Sequence, residues 1–432
     1  MTVWGVNLCR LVLAVVFLFS GFVKAADPVG MSYKVEAYFA QLGLPGSLAA
    51  GSFSASTVIA VGLAAFEFLL GVYLLVGMHR RFTSWCILIV MVLLTTLTGY
   101  LYFFSTIPDC GCFGDAIILS NRDTFLKNIG LLLCSVVLLV RPLKIKRLIT
   151  ERNQWIIALY SVFYVFVLSL YSTYHLPVID FTPYKAGTNL REATEAVYET
   201  TLIFEKDGKT YACSSDSVPA SPGKLVDARV LTLKAPEIEN FALYNDHDDL
   251  TEDLLNDKSY SLWLVAPDLP TSEAGSSDMI NDLYDICIDK GYAFYGVVSA
   301  DSVAISNWVD QTGAAYPFVQ TDRETAEAMM RSNPGVLLMK DGTILGKWGH
   351  NDLGHLVQLL EQQKESQIER FVQSEKAEGL PYLLVRAILW YIIPLLLIIG
   401  IDRIWISSKF YKHYIYKQRF NTNKNEKENR SR

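Results

Sequence analysis

Two cysteines separated by one glycine, Cys110 and Cys112, are the residues of this chain best suited to redox chemistry. Cysteines two positions apart approach bridging distance, and Gly111 relieves the steric conflict between them. The disulfide that they close would form a small, strained ring, which is easier to reduce and therefore a better oxidant. The spacing favours a pair that accepts electrons from other thiols. A structural tie or two unpaired thiols are the alternatives.

Glu67 is an acidic residue inside a long apolar run. A carboxyl group within a membrane span is costly, so by default it indicates function. Glu67 could handle protons beside a redox centre. The alternative is a packing role, with hydrogen bonds to Thr95, Thr96 or Thr98.

The other five of the seven cysteines offer less chemistry. Cys213 falls in a polar segment and is predicted to be unpaired, with pairing to a client protein or to Cys110 as the alternatives. The remaining four are predicted to pack as small hydrophobic side chains, three in apolar runs and one in a helix of the core; they are Cys9, Cys86, Cys134 and Cys287.

Metal binding and nucleic-acid binding are both disfavoured. His247 stands among Asp246, Asp248 and Asp249, a spacing more typical of a solvated acidic loop than of a metal site, and we predict no metal. The formal net charge of -6 leaves no overall basic surface for nucleic acid.

Six apolar segments are long enough to cross a bilayer, which requires about 20 helical residues. The chain is 51% hydrophobic, with a mean hydropathy of +0.25, which is more apolar than is usual for a soluble chain. The predicted spans are 8–23, 57–78, 82–104, 124–140, 155–171 and 381–401. A cleaved signal peptide is the alternative for the first span.

Positive charge predicts the orientation, because Lys and Arg concentrate on the cytoplasmic side of a membrane. Basic residues lie between spans two and three, between spans four and five, and after span six, which share one side. We therefore predict a multi-pass protein of the bacterial cytoplasmic (inner) membrane with both termini cytoplasmic. Loops 24–56 and 105–123 and the long segment 172–380 are then periplasmic. Lys24, Asp27 and Lys34 are expected to anchor the first span at the interface, or to bind a lipid headgroup or the large domain.

The long segment between the last two spans reads as an α/β domain. A hairpin is predicted over 201–213 around Asp207-Gly208, and another over 336–348 around Asp341-Gly342. Strands at 261–265 and 292–299 alternate with helices at 278–290 and 302–311, and a closing helix covers 353–371. In loop 24–56, one-sided apolar spacing predicts a short helix around Val35 and Phe39, lying in the membrane interface or packed on the bundle.

The predicted fold is membrane all-α, a four-helix bundle plus two further transmembrane helices that flank the α/β domain. The predicted divisions are a bundle (1–150), a fifth transmembrane helix (151–175), a linker with a hairpin (176–232), the α/β domain (233–372), a sixth transmembrane helix (380–404) and a basic cytoplasmic tail (405–432). The polar end of the tail, 421–432, is predicted to be disordered.

A set of residues in the first four spans carries a family resemblance: Arg10, Ser20-Gly21-Phe22-Val23-Lys24, Asp27-Pro28, Gly30, Glu67, Gly71, Gly77 and Asp109-Cys110-Gly111-Cys112-Phe113-Gly114. With them, residues 8–141 resemble the DoxX/MauE family of membrane proteins. The resemblance implies a role in disulfide formation or maturation of exported proteins, beside a thioredoxin-like partner.

Two motifs of the α/β domain, residues 235–241 and Asn333-Pro334-Gly335, resemble thioredoxin-fold proteins of the peroxiredoxin and cytochrome-maturation kind. The resemblance implies a first strand over 235–241 and a cis-proline at Pro334, beside a possible partner-binding groove. Where that family carries Cys-x-x-Cys, residues 266–273 hold no cysteine. Without a thiolate the domain cannot run dithiol exchange in the usual way, so we expect it to hold a client or partner.

The leading interpretation is therefore a protein embedded in the lipid bilayer that supports thiol–disulfide electron transfer. Its predicted partners are exported or periplasmic thiol proteins. No covalently bound cofactor is predicted, and a membrane quinone is a candidate cofactor. One alternative is a non-enzymatic, membrane-anchored binding or assembly module. Another is a bundle that binds a quinone or other small molecule without thiol chemistry.

Overall fold

The computed structural model describes residues 3–41, 43, 49–50, 53–104, 111–206, 209–214, 224–245, 248–362, 368 and 380–430. The chain divides into two compact units. Unit one comprises Met1–Asp180 with Glu378–Arg432, and unit two comprises Phe181–Ala377.

The described residues of unit one are mainly helical, with one short pair of antiparallel strands, β1 (Ala49–Ala50) and β2 (Phe53–Ser54). Six of its helices are long and apolar enough to cross a membrane, which confirms the six predicted spans. The helices are α1 (Val3–Ala26), α2 (Pro28–Gln41), α3 (Ala55–Val76), α4 (Arg80–Phe104), α5 (Asn121–Val140), α6 (Gln154–Tyr174) and α13 (Leu380–Arg430). All except α2 are spanning helices.

Large apolar side chains cover the outward face of these helices. Leu93, Phe103, Leu133 and Phe163 are 64, 65, 64 and 62% exposed. So much exposed apolar surface is favourable in lipid and costly in water. The protein is therefore a multi-pass membrane protein.

Helices α1 and α3 approach each other closely because glycines lie at their contact. A side-chain carbon at Gly71 would come within 2.7 Å of the Leu18 backbone nitrogen. Gly21 faces the Phe68 backbone at a similarly close approach. Small residues allow helix backbones to pack at short range in membranes. This close packing sets α1 and α3 side by side, which matters for the site described below.

The predicted short helix after the first span is confirmed as α2. Its apolar residues Met31 and Val35 are buried against Ala60 of α3, with Phe39 packed beside them. Of the two predicted roles, packing against the bundle is the one that these contacts show.

Helix α13 is fastened to the segment between α5 and α6. Both carboxylate oxygens of Asp402 are used: Oδ2 accepts from the Thr150 backbone N–H (3.0 Å), and Oδ1 accepts from the Thr150 hydroxyl (2.6 Å) and the Asn153 amide (2.7 Å). Arg403 donates to the carbonyls of Arg147 and Leu148. The helix continues to Arg430, so the predicted disorder from residue 421 is wrong over 421–430. The Lys, Glu and Arg residues of this segment favour the helical state, and their charge does not end a helix.

Unit two contains two sheets. The smaller has the order β4-β3-β5, formed by β3 (Val197–Lys206), β4 (Lys209–Ser214) and β5 (Lys224–Lys234). The larger has the order β10-β9-β6-β7-β8, formed by β6 (Tyr260–Ala266), β7 (Ala293–Val298), β8 (Phe318–Gln320), β9 (Gly335–Lys340) and β10 (Thr343–Gly349). Strands β6, β7 and β8 are parallel, whereas β9 runs antiparallel to β6 and β10.

The helices of unit two are α7 (Leu190–Thr194), α8 (Thr251–Leu255), α9 (Ser277–Lys290), α10 (Ser302–Thr312), α11 (Arg323–Met329) and α12 (Leu353–Gln362). All seven residues of β6 are buried, as expected for a strand covered on both faces. Side chains of β6, α9 and α12 share one core, which includes Leu264, Leu283 and Leu356.

Local turn residues predicted both hairpins of unit two correctly. The β9–β10 turn has Asp341 at φ +47° and Gly342 at φ +68°, the left-handed pair that a two-residue hairpin turn requires. Strands β3 and β4 pair in the predicted register around residues 207–208, which lie outside the described residues.

One prediction for unit two needs correction. No strand forms over 235–241, where Pro236 lacks an N–H donor and Asn240 has φ +57°. After this segment the chain pairs with the larger sheet at Tyr244, opposite Gln320. The closing helix is described from Leu353 to Gln362, and most of its predicted remainder, 363–367 and 369–371, lies outside the described residues.

Candidate functional site

Cys112 lies in a tight turn of the α4–α5 connection, which the structure describes from Gly111 onward. The turn is closed by the Gly114 N–H, which donates to the Gly111 carbonyl at 3.1 Å. Both glycines have positive φ, +63° at Gly111 and +53° at Gly114, which other residues adopt at a cost. Cys112 is disulfide-bonded. Cys110, the other predicted redox cysteine, lies outside the described residues.

The backbone of Cys112 rests on a buried polar network formed by α1 and α3. Lys24 Nζ forms an ion pair with Glu67 Oε2 at 2.6 Å, with only 3% and 5% of the two side chains exposed. The same ammonium donates to Ser20 Oγ at 2.9 Å and to the Cys112 carbonyl at 3.0 Å. All three ammonium protons of Lys24 therefore have acceptors.

The Ser20 hydroxyl has two acceptors and one proton. Its oxygen lies 2.7 Å from Glu67 Oε2 and 2.5 Å from the Cys112 carbonyl oxygen. A hydroxyl donates only one hydrogen bond at a time. Ser20 can therefore switch its proton between the acid of α3 and the cysteine turn by rotating about one bond.

A cavity of about 200 Å³ opens beside this network. Its polar lining includes Cys112, Lys24, Glu67, Lys127 and Asn128. Most of the wall is apolar, from residues such as Val16, Phe17, Met31, Met91, Leu94 and Leu131. The arrangement suits a flat apolar molecule with a polar end directed at the cysteine turn.

Two further lysines contact the turn. Lys34 of α2 lies over Gly111 and pairs with Asp115 at 3.2 Å. Lys127 of α5 places Nζ 4.0 Å from the centre of the Phe113 ring, a cation–π contact.

All the residues of this site lie in the part of the chain that matches a known protein family. Residues 2–141 match the model of a family described as methylamine utilisation protein MauE. The match confirms the MauE resemblance predicted for residues 8–141, and those 2–141 are called the MauE-like region below. No curated protein and no solved structure matches the chain. The likeness of unit two to thioredoxin-fold proteins, and that of the bundle to DoxX, stay predictions.

Within the MauE-like region the expected partners of Glu67 are wrong. Thr95, Thr96 and Thr98 donate their hydroxyl protons to carbonyls of their own helix. Glu67 instead pairs with Lys24, because the closely packed α1 and α3 bring the two side chains together.

The expectation that Lys24 anchors the first span at the membrane interface is wrong as well. Lys24 is buried, and its charge is neutralised inside the bundle. Lys34 is partly exposed and pairs with Asp115 of the cysteine turn. Asp27 is buried at the start of α2, where Oδ1 accepts from the Gly30 N–H at 2.8 Å.

Two residues of the site, both on α5, were missed by reading the sequence. Lys127 and Asn128 lie inside the predicted span 124–140, and two polar residues there were a usable signal. Ser20 and Lys24 are four residues apart, which places them on one face of a helix. Which helix that face would meet was not readable from α1 alone.

The other cysteines are free thiols in the structure, as predicted. Cys9, Cys86 and Cys134 are half-buried in the apolar core of the bundle. Cys287 is fully buried in unit two, and burial raises the pKa of its thiol to about 12. Cys213 is half-buried on β4. Among the described residues no group of three metal-ligating side chains occurs, and His247 lies outside them.

In unit two the predicted cis peptide bond between Asn333 and Pro334 is confirmed. The loop 266–273, which contains no cysteine, packs directly against it. Asn333 accepts from the Glu273 N–H at its carbonyl (3.0 Å) and from the Ser272 hydroxyl at Oδ1 (2.8 Å). Its amide donates to the Asp268 carbonyl at 2.8 Å. Asn333 therefore holds this loop through three hydrogen bonds, two that it accepts and one that it donates.

Proposed function

We propose that this chain is a membrane thiol–disulfide oxidoreductase whose Cys110–Cys112 disulfide accepts electrons from thiols of exported proteins. The observation that carries the proposal is Cys112 itself, which is disulfide-bonded in a turn held over a cavity by Lys24 and Ser20. Five of the seven cysteines are free thiols, so the proposal takes Cys110 as the partner of Cys112.

The proposed reaction balances as a dithiol–disulfide exchange. A client thiolate attacks one sulfur of the disulfide, and the S–S bond breaks as a mixed disulfide forms. The second client thiol resolves the mixed disulfide. The client gains a disulfide and loses two electrons and two protons, while Cys110 and Cys112 gain two electrons.

A membrane quinone is the acceptor class that we propose for those electrons. The cavity fits such a molecule, because its walls are mainly apolar while Cys112 and the Asn128 amide lie on its lining. When bound, a quinone supplies a two-electron, two-proton acceptor. Glu67 and Lys24 hold a proton between Oε2 and Nζ, and the Ser20 hydroxyl provides a route from that pair to the Cys112 turn.

The proposed topology follows from positive charge. Basic residues cluster at the start of α4, between α5 and α6, and along the end of α13. We propose that these regions face the cytoplasm of a bacterium. Cys112 and unit two then lie on the periplasmic side, where disulfides persist and exported thiol proteins are the available partners.

We propose that unit two is a thioredoxin-like domain that has lost redox chemistry and binds a client. The strand order β7-β6-β9-β10, with α9 between the two parallel strands, supports the fold, and so does the cis-proline at Pro334. Residues 266–273 contain no cysteine, which leaves binding as its role. The groove beside Pro334 is the proposed partner site.

The second candidate function, a membrane-anchored binding or assembly module without redox turnover, is favoured by that missing cysteine motif. Co-purification separates the two functions. Mixed disulfides that vanish on reduction support exchange chemistry, whereas clients that remain bound in reductant support a binding module.

The direct test is the redox state of the Cys110–Cys112 peptide in intact cells. Cells are acid-quenched, free thiols are capped with a bulky maleimide, and the peptide mass is read before and after a pulse of reductant. We expect an oxidised pair that re-oxidises within minutes, and loss of client oxidation in Cys110→Ser and Cys112→Ser. Cys213→Ser is the matched control and should behave like wild type. Permanently free thiols, or a bond that never turns over, would reject the proposal.

A further inference from the structure

Three consecutive residues of the cysteine turn are each contacted by a lysine from a different helix. Lys34 of α2 lies over Gly111, where an added side-chain carbon would sit 2.6 Å from Lys34 Cδ. Lys24 of α1 donates to the Cys112 carbonyl, and Lys127 of α5 lies over the Phe113 ring. We call these three side chains the lysine cradle.

Only two of the three lysines are neutralised. Lys24 pairs with Glu67, and Lys34 pairs with Asp115. Lys127 forms no ion pair with any carboxylate that the structure describes, and its ammonium meets the face of an aromatic ring instead. The cradle and its two acids therefore carry one excess positive charge beside the disulfide.

Two other acids lie close in sequence to residues of this site. Asp27 belongs to the start of α2, where its carboxylate accepts from the Gly30 N–H and faces the positive end of the helix dipole. Asp109 lies outside the described residues.

We infer, on the basis of the redox role proposed above, that the lysine cradle is charged to hold one thiolate, and that this thiolate is Cys112 in the reduced pair. A thiolate is stabilised by nearby ammonium groups, and more strongly where apolar walls lower the local dielectric. With one thiolate present, the excess charge of Lys127 is balanced.

The electron and proton balance of reduction is consistent with this assignment. A client dithiol gives two electrons to the disulfide, and the S–S bond breaks. Cys110 takes one proton as a thiol, Cys112 remains a thiolate, and the second proton leaves to water. A stabilised thiolate is a good leaving group, and it favours the reduced form, so the cradle makes the disulfide a stronger oxidant.

The test measures how fast the reduced Cys112 reacts with iodoacetamide as a function of pH. The full-length protein is purified in detergent, reduced with excess dithiothreitol and desalted, and the alkylated Cys112 peptide is quantified by mass spectrometry. Lys127→Met removes the excess charge, and Lys127→Arg keeps it. Lys146→Met removes an exposed lysine of the α5–α6 connection and is the matched control.

We expect Lys127→Met to move the midpoint of the alkylation curve upward by about one pH unit, which is about a tenfold smaller thiolate fraction near neutral pH. Lys127→Arg and Lys146→Met should keep the wild-type curve. Identical curves for Lys127→Met and wild type would overturn the inference, and so would equal shifts in all three variants. Unfolding in detergent micelles, followed by circular dichroism, reports that the bundle of each variant is folded.

The same data separate this inference from the proposed function. The alkylation curve needs neither a client nor a quinone. If the pair never turns over in cells but the curve shifts, the oxidoreductase proposal fails and the cradle stands. If turnover is normal and the curve does not move, the cradle alone fails.

Discussion

Lys24 and Glu67 meet inside the bundle at 2.6 Å, although 43 residues separate them in sequence. Their ion pair supports the Cys112 carbonyl through Lys24 and, by way of Ser20, links that carbonyl to an acid. Buried ion pairs cost desolvation energy, so such a pair is weak grounds for a stability role alone. Its contact with the cysteine turn is why we connect it with redox chemistry.

Breaking that ion pair should destabilise the bundle more than removing it altogether. We expect Lys24→Met or Glu67→Met alone to lower the free energy of unfolding by about 3–5 kcal/mol, because one charge is left buried without a partner. The double variant should recover most of that loss. Unfolding in detergent micelles, followed by circular dichroism, measures all four proteins in one double-mutant cycle. Losses that simply add would show that the two side chains do not interact.

The thiol of Cys287 should be chemically silent in the folded protein. It is fully buried, and burial raises its pKa to about 12, so almost none is thiolate at about pH 8. We expect N-ethylmaleimide to spare it in buffer and to label it in concentrated urea, as read by peptide mass. The half-buried Cys213 serves as the comparison and should react sooner. Rapid labelling of Cys287 in buffer would contradict its place in the core.

Unit two should lose stability as the solution becomes acidic, through His350. Burial lowers the pKa of His350, against the opposing influence of Glu273 and Asp352, and Nδ1 lies 2.8 Å from the Ser332 hydroxyl. As pH falls, His350 therefore binds a proton in the unfolded chain before it does so in the folded protein. The contribution of neutral His350 to the free energy of unfolding is fully present above about pH 6.5, and it is lost as the pH falls toward the lowered pKa of the folded state.

Urea titrations followed by tryptophan fluorescence, at several pH values from about 7.5 down to about 5.5, measure this dependence. His350→Gln cannot titrate and should flatten the fall in the urea midpoint. An unchanged pH dependence in that variant would assign the effect to other groups.

Asp402 should matter for the attachment of α13. It accepts three hydrogen bonds from Thr150 and Asn153, and Asp402→Ala leaves those donors without it. We expect a loss of about 1–3 kcal/mol in the unfolding free energy in micelles, and a smaller loss for Asp402→Asn, which keeps one acceptor oxygen. Ser408→Ala, an exposed change on the same helix, is the control. Equal stability of Asp402→Ala and the control would show that these hydrogen bonds do not hold α13 in place.

Much of the fold was readable from sequence because the deciding signals are local. The length of each apolar run is set by bilayer thickness, so six spans were correctly predicted. The Asp341-Gly342 pair supplies the positive φ values of a hairpin turn, so the β9–β10 hairpin was correctly predicted. The sequence alone also shows that residues 266–273 contain no cysteine, so no disulfide can form within that segment.

Only the tertiary structure decided what surrounds the cysteine turn. A span that is apolar all round gives no sign of which face meets which neighbour. The rotation and close approach of α1 and α3 brought Glu67 to Lys24, away from the threonines of α4. Packing of α5 placed Lys127 over Phe113, and packing of α2 placed Lys34 over Gly111. The sequence determined that cysteines stand at positions 110 and 112, and long-range helix packing determined which charged side chains surround the Cys112 turn.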